Sequence, residues 1–317
     1  MFKTKMIKIA LQDNTYLTSL FDLKWIQPYD KDSFLPDILI GEKKNENVNF
    51  IQIIFAKEIQ KNENNVYYYN LQKSVSDYID IICEVIRDKI CAVHVFGDSH
   101  SIITCKVPLC RENWLGFNTS YPLTMFRFGN EGLNLFECIK VMGNGHENFP
   151  IRKGDIAMYS YGEIDVRYLI LKHSKKETGY QSNLGGCLSK YKDIDIISDK
   201  LINNYIKQIK KNEITYGCKS FVYDLIPPAH ITSKTNLFTG TLEERKELYK
   251  YFREKLHKVC KNENIDIISI YNEIVDIDGF TKKKCLQGDG NGDIHLKLEV
   301  YYLIRDKLLE KICYNRD

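Results

Sequence analysis

The chain has 317 residues, 44% of them hydrophobic and 27% charged, and its 45 basic and 42 acidic residues leave a net charge of +3. This is the composition of an ordinary globular protein, long enough for one large domain or two smaller ones. No basic stripe occurs, no block of like charge exceeds Lys282–Lys284, and no run approaches eighteen apolar residues. Neither nucleic acid nor a membrane is therefore expected as a partner.

In chain order, the opening MFKTKMIKIALQDNTYL lacks an apolar stretch of signal-peptide length. The ten cysteines then read as reduced thiols, which implies a cytoplasmic setting. No C-x-x-C pair is present, so no metal is expected. Ile38–Ile40, Val48–Phe55 and Val66–Tyr69 are β-prone runs, separated by the polar turn Lys-Asn-Glu-Asn at 44–47 and again at 61–64. Residues 74–90 switch to helical spacing, with Val75, Ile79, Ile82, Val85 and Ile86 on one face. These patterns divide the chain into a small β-rich region of unknown role over 1–88 and a larger α/β domain over 89–317. The first region is a candidate acceptor-binding or dimerising module, through which the protein would form homo-oligomers.

From residue 91, strands and helices alternate. Ala92–Phe96, Asp155–Ser160, Ser220–Leu225 and Ile265–Tyr271 read as strands. Leu188–Lys210, Leu242–Cys260 and Leu296–Ile312 read as helices, the second opened by a capping box of Thr241 and Glu244. This alternation predicts a mostly parallel sheet with helices on both faces, a three-layer α/β/α architecture.

Ligands of such sheets bind beyond the carboxyl ends of the strands. Gly97-Asp98-Ser99 sits there, directly after the first strand, and Asp293-Ile294-His295 sits just ahead of the last helix. A serine hydroxyl needs a base to take its proton, commonly a histidine held in the right tautomer by a carboxylate. Each cluster also has a bland reading. Gly-Asp-Ser is a turn leading into a helix N-cap, and Asp293 closes the turn-rich Gly288–Gly292. That stretch is not a calcium loop, because with Asp289 first the twelfth position is Val300 rather than glutamate. Glu163, Asp165 and Arg167, read as alternating along a strand end, form either a buried ion-pair network or a substrate contact. His94 reads as a satisfied core residue. Tyrosine is abundant, at 21 residues, and suits a sugar-binding rim as well as a core.

Taken together, V-F-G-D-S-H-S at 95–101, Y-G-E-I-D-V-R at 161–167 and D-I-H-L at 293–296 resemble blocks of the SGNH (GDSL) hydrolase family. The nearest pattern is the G-D-S-H-S and G-E-I-D-x-R branch associated with carbohydrate modification. The resemblance spans about residues 91–315. It implies Ser99 as nucleophile, His295 as base and Asp293 as its orienting acid. The oxyanion donors it implies are the amide of Ser99 and that of Gly129, with Asn130 as a further candidate. Asp98, His100, Glu163, Asp165 and Arg167 would contact substrate. The implied activity is that of an esterase or deacetylase on a carbohydrate or nucleotide sugar. The alternatives are a sugar acetyltransferase with acetyl-CoA as co-substrate and no bound cofactor, and a non-catalytic glycan-binding protein. Two departures stand out. The last block reads D-x-H rather than D-x-x-H, with Asp289 as a fallback acid. Ile164 occupies the place of an asparagine oxyanion donor, for which Arg167 or Asn130 would have to substitute. The loss of one such donor typically costs about 10²–10³ in rate.

Overall fold

The structure is a computed structural model that describes residues 9–11, 27–28, 38–41, 51–56, 66–70, 91–98, 114–118, 124–132, 151–177, 179–231, 238–290 and 293–314. The expected helix over 74–90 lies outside these residues. The chain divides into two compact units: residues 1–92 with 108–116 and 143–150, and residues 93–107 with 117–142 and 151–317.

The first unit carries β1 (Ile9–Leu11), β2 (Gln27–Pro28), β3 (Ile38–Gly41), β4 (Ile51–Ala56) and β5 (Val66–Asn70) in the order β2-β1-β3-β4-β5. Every pairing in this sheet is parallel. Ile54 and Tyr68, on neighbouring strands, form its buried cluster. The Tyr67–Tyr69 triplet is therefore strand, as its β-prone composition implies.

The second sheet has the order β10-β9-β8-β6-β7, built from β6 (Cys91–Gly97), β7 (Trp114–Asn118), β8 (Ile156–Ser160), β9 (Lys219–Tyr223) and β10 (Asp266–Ile268). The pairs β6–β8, β8–β9 and β9–β10 are parallel. All five residues of β8 are buried, as expected for a strand covered on both faces. Alternation assigns the faces. Phe96, Ala157, Tyr159 and Val222 join one core cluster, while Val93, Val95, Ile156, Met158 and Phe221 are equally buried outside it.

The helices of the first face are α1 (Met125–Glu131), α2 (Ile170–His173), α3 (Ile194–Tyr216) and α4 (Leu242–Asn262). A short α5 (Tyr271–Ile274) follows β10. The last helix, α6 (Leu298–Tyr314), packs on β10 and buries Val300, Ile304 and Leu308, none of which belongs to the first-face cluster. The three layers are those implied by the alternating pattern. In α3, Ile194, Leu201, Ile202, Tyr205, Ile206 and Ile209 recur at helical spacing and are buried. Each such side chain contributes about 1.5–3 kcal/mol when fully removed from water. The helix begins at Ile194 rather than Leu188, because Gly185 and Gly186 adopt positive φ and a short 3-10 turn over Gly186–Leu188 intervenes. The Thr241–Glu244 capping box of α4 forms in both directions.

Five of the described tyrosines serve this core. Tyr159, Tyr161, Tyr191, Tyr205 and Tyr249 are all nearly inaccessible. Phe128 of α1 stacks on Tyr161 at 5.0 Å and meets Tyr205 edge-on at 5.5 Å. The Tyr205 hydroxyl donates to the Tyr159 carbonyl at 3.2 Å. Such rings combine large apolar burial with a satisfied polar tip.

Candidate active site

Parallel pairing brings the carboxyl ends of β6 and β8 level, with Gly97 opposite Ser160. The next amide, that of Asp98, donates to the Ser160 carbonyl at 3.1 Å, and Asp98 is buried. The first residues past these strands are thus held side by side at the carboxyl rim of the sheet. Asp98, Ser160, Tyr161, Glu163, Tyr223 and Asp224 line one cleft there. Ser99 and His100 follow immediately and lie outside the described residues.

Beyond Ser160 the chain turns at Gly162, whose φ of +120° only glycine adopts readily. A Cβ there would also sit 2.8 Å from the Met125 Cε atom. Residues 163 and 164 then enter a helix, which continues as a π-helical turn over Asp165–Leu169 and into α2. The strand-like alternation expected for 163–167 is therefore replaced by helical spacing. Glu163 and Arg167 still share a face, now as an i,i+4 pair with Nε to Oε1 at 2.7 Å. Tyr249 of α4 donates its hydroxyl to the same carboxylate at 2.9 Å. Burial and the neighbouring carboxylate push the Tyr249 phenol far above its usual range, so it remains a neutral donor.

Asp165 stands apart from this pair. One carboxylate oxygen accepts the Met125 amide at 2.7 Å and the other the Phe126 amide at 3.1 Å. It therefore caps the N-terminus of α1, where a carboxylate suits the free amides and the helix dipole. Burial pushes its pKa up to about 6 against the opposing effect of those amides. A helical reading of the sequence would have separated it from the 163/167 face.

Gly129 lies inside α1, where an amide faces its own helix, and its missing side chain meets α3. A Cβ there would lie 3.0 Å from the backbone of Asn204 and Tyr205. In this structure Gly129 is a packing glycine, a use the motif reading did not anticipate. Asn130 donates to the Phe126 carbonyl at 2.7 Å and accepts from Asn204 at 3.0 Å, so its amide ties α1 to α3. Ile164, in the place of the asparagine donor, is apolar and half-buried.

The Asp293–His295 pair is formed. The His295 Nδ1 atom lies 2.7 Å from Asp293 Oδ1, and the His295 amide donates to the same oxygen at 2.8 Å. The surrounding backbone is anchored by an antiparallel bridge between Leu286 and Leu296 and by the Gln287 amide donating to the His295 carbonyl at 2.8 Å. Burial raises the Asp293 carboxyl, but the amide and ring of His295 outweigh it and hold the group below its usual range. An ionised Asp293 fixes the tautomer with Nδ1–H, which places the basic lone pair on Nε2. Both side chains are about one-third exposed, which suits groups that meet a substrate.

Asp224 is a cleft residue that the motif reading missed. It accepts from Arg253 Nε at 2.8 Å, His257 Nε2 at 2.8 Å and the Ser269 hydroxyl at 2.6 Å. Its position at the carboxyl end of a strand was the available signal. His94 is a core residue, as expected, with Nε2 3.1 Å from Asp155 Oδ2.

No protein-family model matches the chain, and no curated protein does. Among solved structures, it is similar to a GDSL-like lipase from Bacteroides thetaiotaomicron, at 12% identity and a TM-score of 0.43 over 75% of this chain and 97% of that one. It is also similar to an acetyl xylan esterase, at 13% and 0.39 over 70% and 99%. A third is the OSK domain of Drosophila Oskar, at 11% and 0.40 over 69% and 88%. At these identities the likeness is one of fold alone, and no residue role follows from it. Among the described residues, no helix is long and apolar enough to cross a membrane, and no group of His, Cys, Asp and Glu is arranged to hold a metal.

Proposed function

We propose that the chain is a serine-dependent acyl-transfer enzyme of the esterase or deacetylase type, acting on an acylated carbohydrate. The observation that carries this reading is the Asp293–His295 pair, at 2.7 Å, preceding the last helix of a parallel α/β sheet. The motif Gly97-Asp98-Ser99 at the carboxyl end of β6 supplies the nucleophile.

In this reading Ser99 Oγ attacks the acyl carbonyl carbon while His295 Nε2 takes its proton. Asp293 stabilises the imidazolium that forms. The Ser99 amide donates to the developing oxyanion. The tetrahedral intermediate collapses, the sugar hydroxyl leaves with the proton from His295, and water repeats the sequence to release the acid. Glu163, Arg167 and Tyr249 act as a positioning unit, since their mutual bonds set the helical turn that follows β8. With the Gly129 amide inside a helix and Ile164 in the asparagine position, the oxyanion site has fewer donors than the motif family implies. A modest turnover is the expected consequence.

The test compares an aryl acetate with acetyl-CoA plus amino or hydroxyl sugars. Ser99-dependent release of the aryl alcohol supports hydrolysis. Release of CoA that requires a sugar assigns the same residues to an acetyltransferase. Turnover of neither, or turnover unchanged in Ser99→Ala, leaves a non-catalytic glycan-binding protein as the reading to adopt.

A further inference from the structure

A cavity of about 410 Å³ opens between α1, the π-turn with α2, and α3. Its floor and walls are apolar and include Met125, Leu169, Ile170, Ile197 and Leu201. The size is that of a small-molecule pocket. One exposed wall residue is apolar as well: Phe126, which lines the cavity, is 50% exposed. Large apolar side chains exposed at a concave site mark binding surfaces more often than scattered ones do.

Apart from the exposed His173 and Lys200, the polar side chains of this cavity already have partners. Both Asp165 oxygens accept amides of α1. The Asn130 and Asn204 amides bond to each other, and Asn130 also bonds to the Phe126 carbonyl. A sugar entering here would shed water and gain few hydrogen bonds, which is costly. An alkyl chain loses nothing polar and gains burial at about 25 cal/mol per Å². One cation, Lys200, stands exposed at the mouth and makes no ion pair among the described residues. The combination is a greasy slot with a positive charge at its entrance.

We propose that this cavity binds an amphipathic carboxylate of the fatty-acid class, its alkyl tail between α1 and α3 and its head group at Lys200. The site is separate from the cleft beside Asp98 and does not depend on the chemistry assigned to Ser99. Its occupation would bear on that chemistry through Asp165 and Met125, because Met125 also packs on Gly162 at the start of the Glu163 turn.

The test titrates the full chain with 11-(dansylamino)undecanoic acid, below the concentration at which the probe self-associates, and displaces it with dodecanoate. Saturable one-to-one binding with a blue-shifted emission is expected. Ile197→Trp, which fills the slot with an apolar group, should weaken binding by about tenfold or more. Lys200→Glu, a surface change, should weaken dodecanoate about threefold to tenfold and leave dodecanol nearly unchanged. Glucose and acetylated sugars should not compete. The proposal is overturned by non-saturable uptake, by equal affinity in wild type and a folded Ile197→Trp, or by equal loss of dodecanoate and dodecanol in Lys200→Glu. Should Ile197→Trp misfold, the Lys200→Glu comparison still decides. The same preparations assayed for ester turnover show whether the Ser99 reading stands or falls on its own.

Discussion

Replacing Gly129 by alanine tests whether α1 is held against α3 at backbone contact. In an ordinary helix interior the change would stabilise by about 1 kcal/mol, because glycine is the poorer helix former. Here the new methyl would lie 3.0 Å from the Asn204 carbonyl carbon, the Asn204 Cβ and the Tyr205 nitrogen. Carbon atoms pack at about 3.5–4.0 Å, so the helices must part by roughly half an ångström. Two features resist that movement. The Asp165 carboxylate pins the first turn of α1, and Phe128 is wedged among Tyr159, Tyr161 and Tyr205. Overpacking costs about 1–3 kcal/mol, and with both features resisting relaxation the upper part of that range, about 2–3 kcal/mol, applies, so the net effect is a loss of about 1–2 kcal/mol. For a unit of this size that lowers Tm by about 2–8 °C. Calorimetry, with hydrogen exchange at the α1 and α3 amides to assign the transition, reads the change. Asn203→Ala, on the exposed side of α3, serves as the propensity control and should be neutral or stabilising. A Gly129→Ala protein that melts at or above the wild-type temperature refutes the packing argument.

Three further outcomes follow from the buried carboxylates. Asp165 has a folded pKa of about 6 against an ordinary 3.8, so the native state keeps a proton that the unfolded chain has lost between those values. Stability from this group therefore falls by up to about 3 kcal/mol as pH rises from 4 to 6 and is flat above; Asp165→Asn should abolish that fall in urea titrations across the window. Glu244 behaves oppositely. Burial alone would raise it, but Lys190, the Thr241 amide, Lys176 and Tyr191 hold it at about 2; its contribution is complete above about 4.5 and is lost as pH falls toward 2, a loss that Glu244→Gln should flatten in acid melts. Glu163→Leu leaves the buried Arg167 guanidinium without its carboxylate and should cost about 3–5 kcal/mol, whereas adding Arg167→Met should restore most of it; equal stability of the single and double variants contradicts a structural pair.

The parts of the fold legible from sequence are those with a local cause. The apolar runs at 93–96 and 156–159 become buried strands, and the Thr241–Glu244 box starts α4. Ile265–Tyr271 reads as one strand but divides into β10 and α5, because the Ser269 hydroxyl accepts the Tyr271 amide and donates to Asp224. Seven-residue α1 has too few turns to show a period, so Gly129 reads as an oxyanion-donor glycine rather than as a helix-packing one. The Asp293–His295 contact is legible because two residues of spacing suffice for it. The Asp224 cluster is not, since its partners come from 29 to 45 positions away. Asp165 misreads for a different reason: one strand-to-helix boundary, misplaced beyond Ser160, moves its side chain from an ion-pair face to the cap of α1.

The central claim is that Ser99 is an activated nucleophile paired with His295. Labelling the folded chain with a fluorophosphonate and mapping the adduct by mass spectrometry tests it directly. The account predicts one adduct, on Ser99, absent in Ser99→Ala and slowed by about 10²–10⁴ in Asp293→Asn. A folded protein that takes up no label at Ser99, or labels there at the same rate without Asp293, contradicts it.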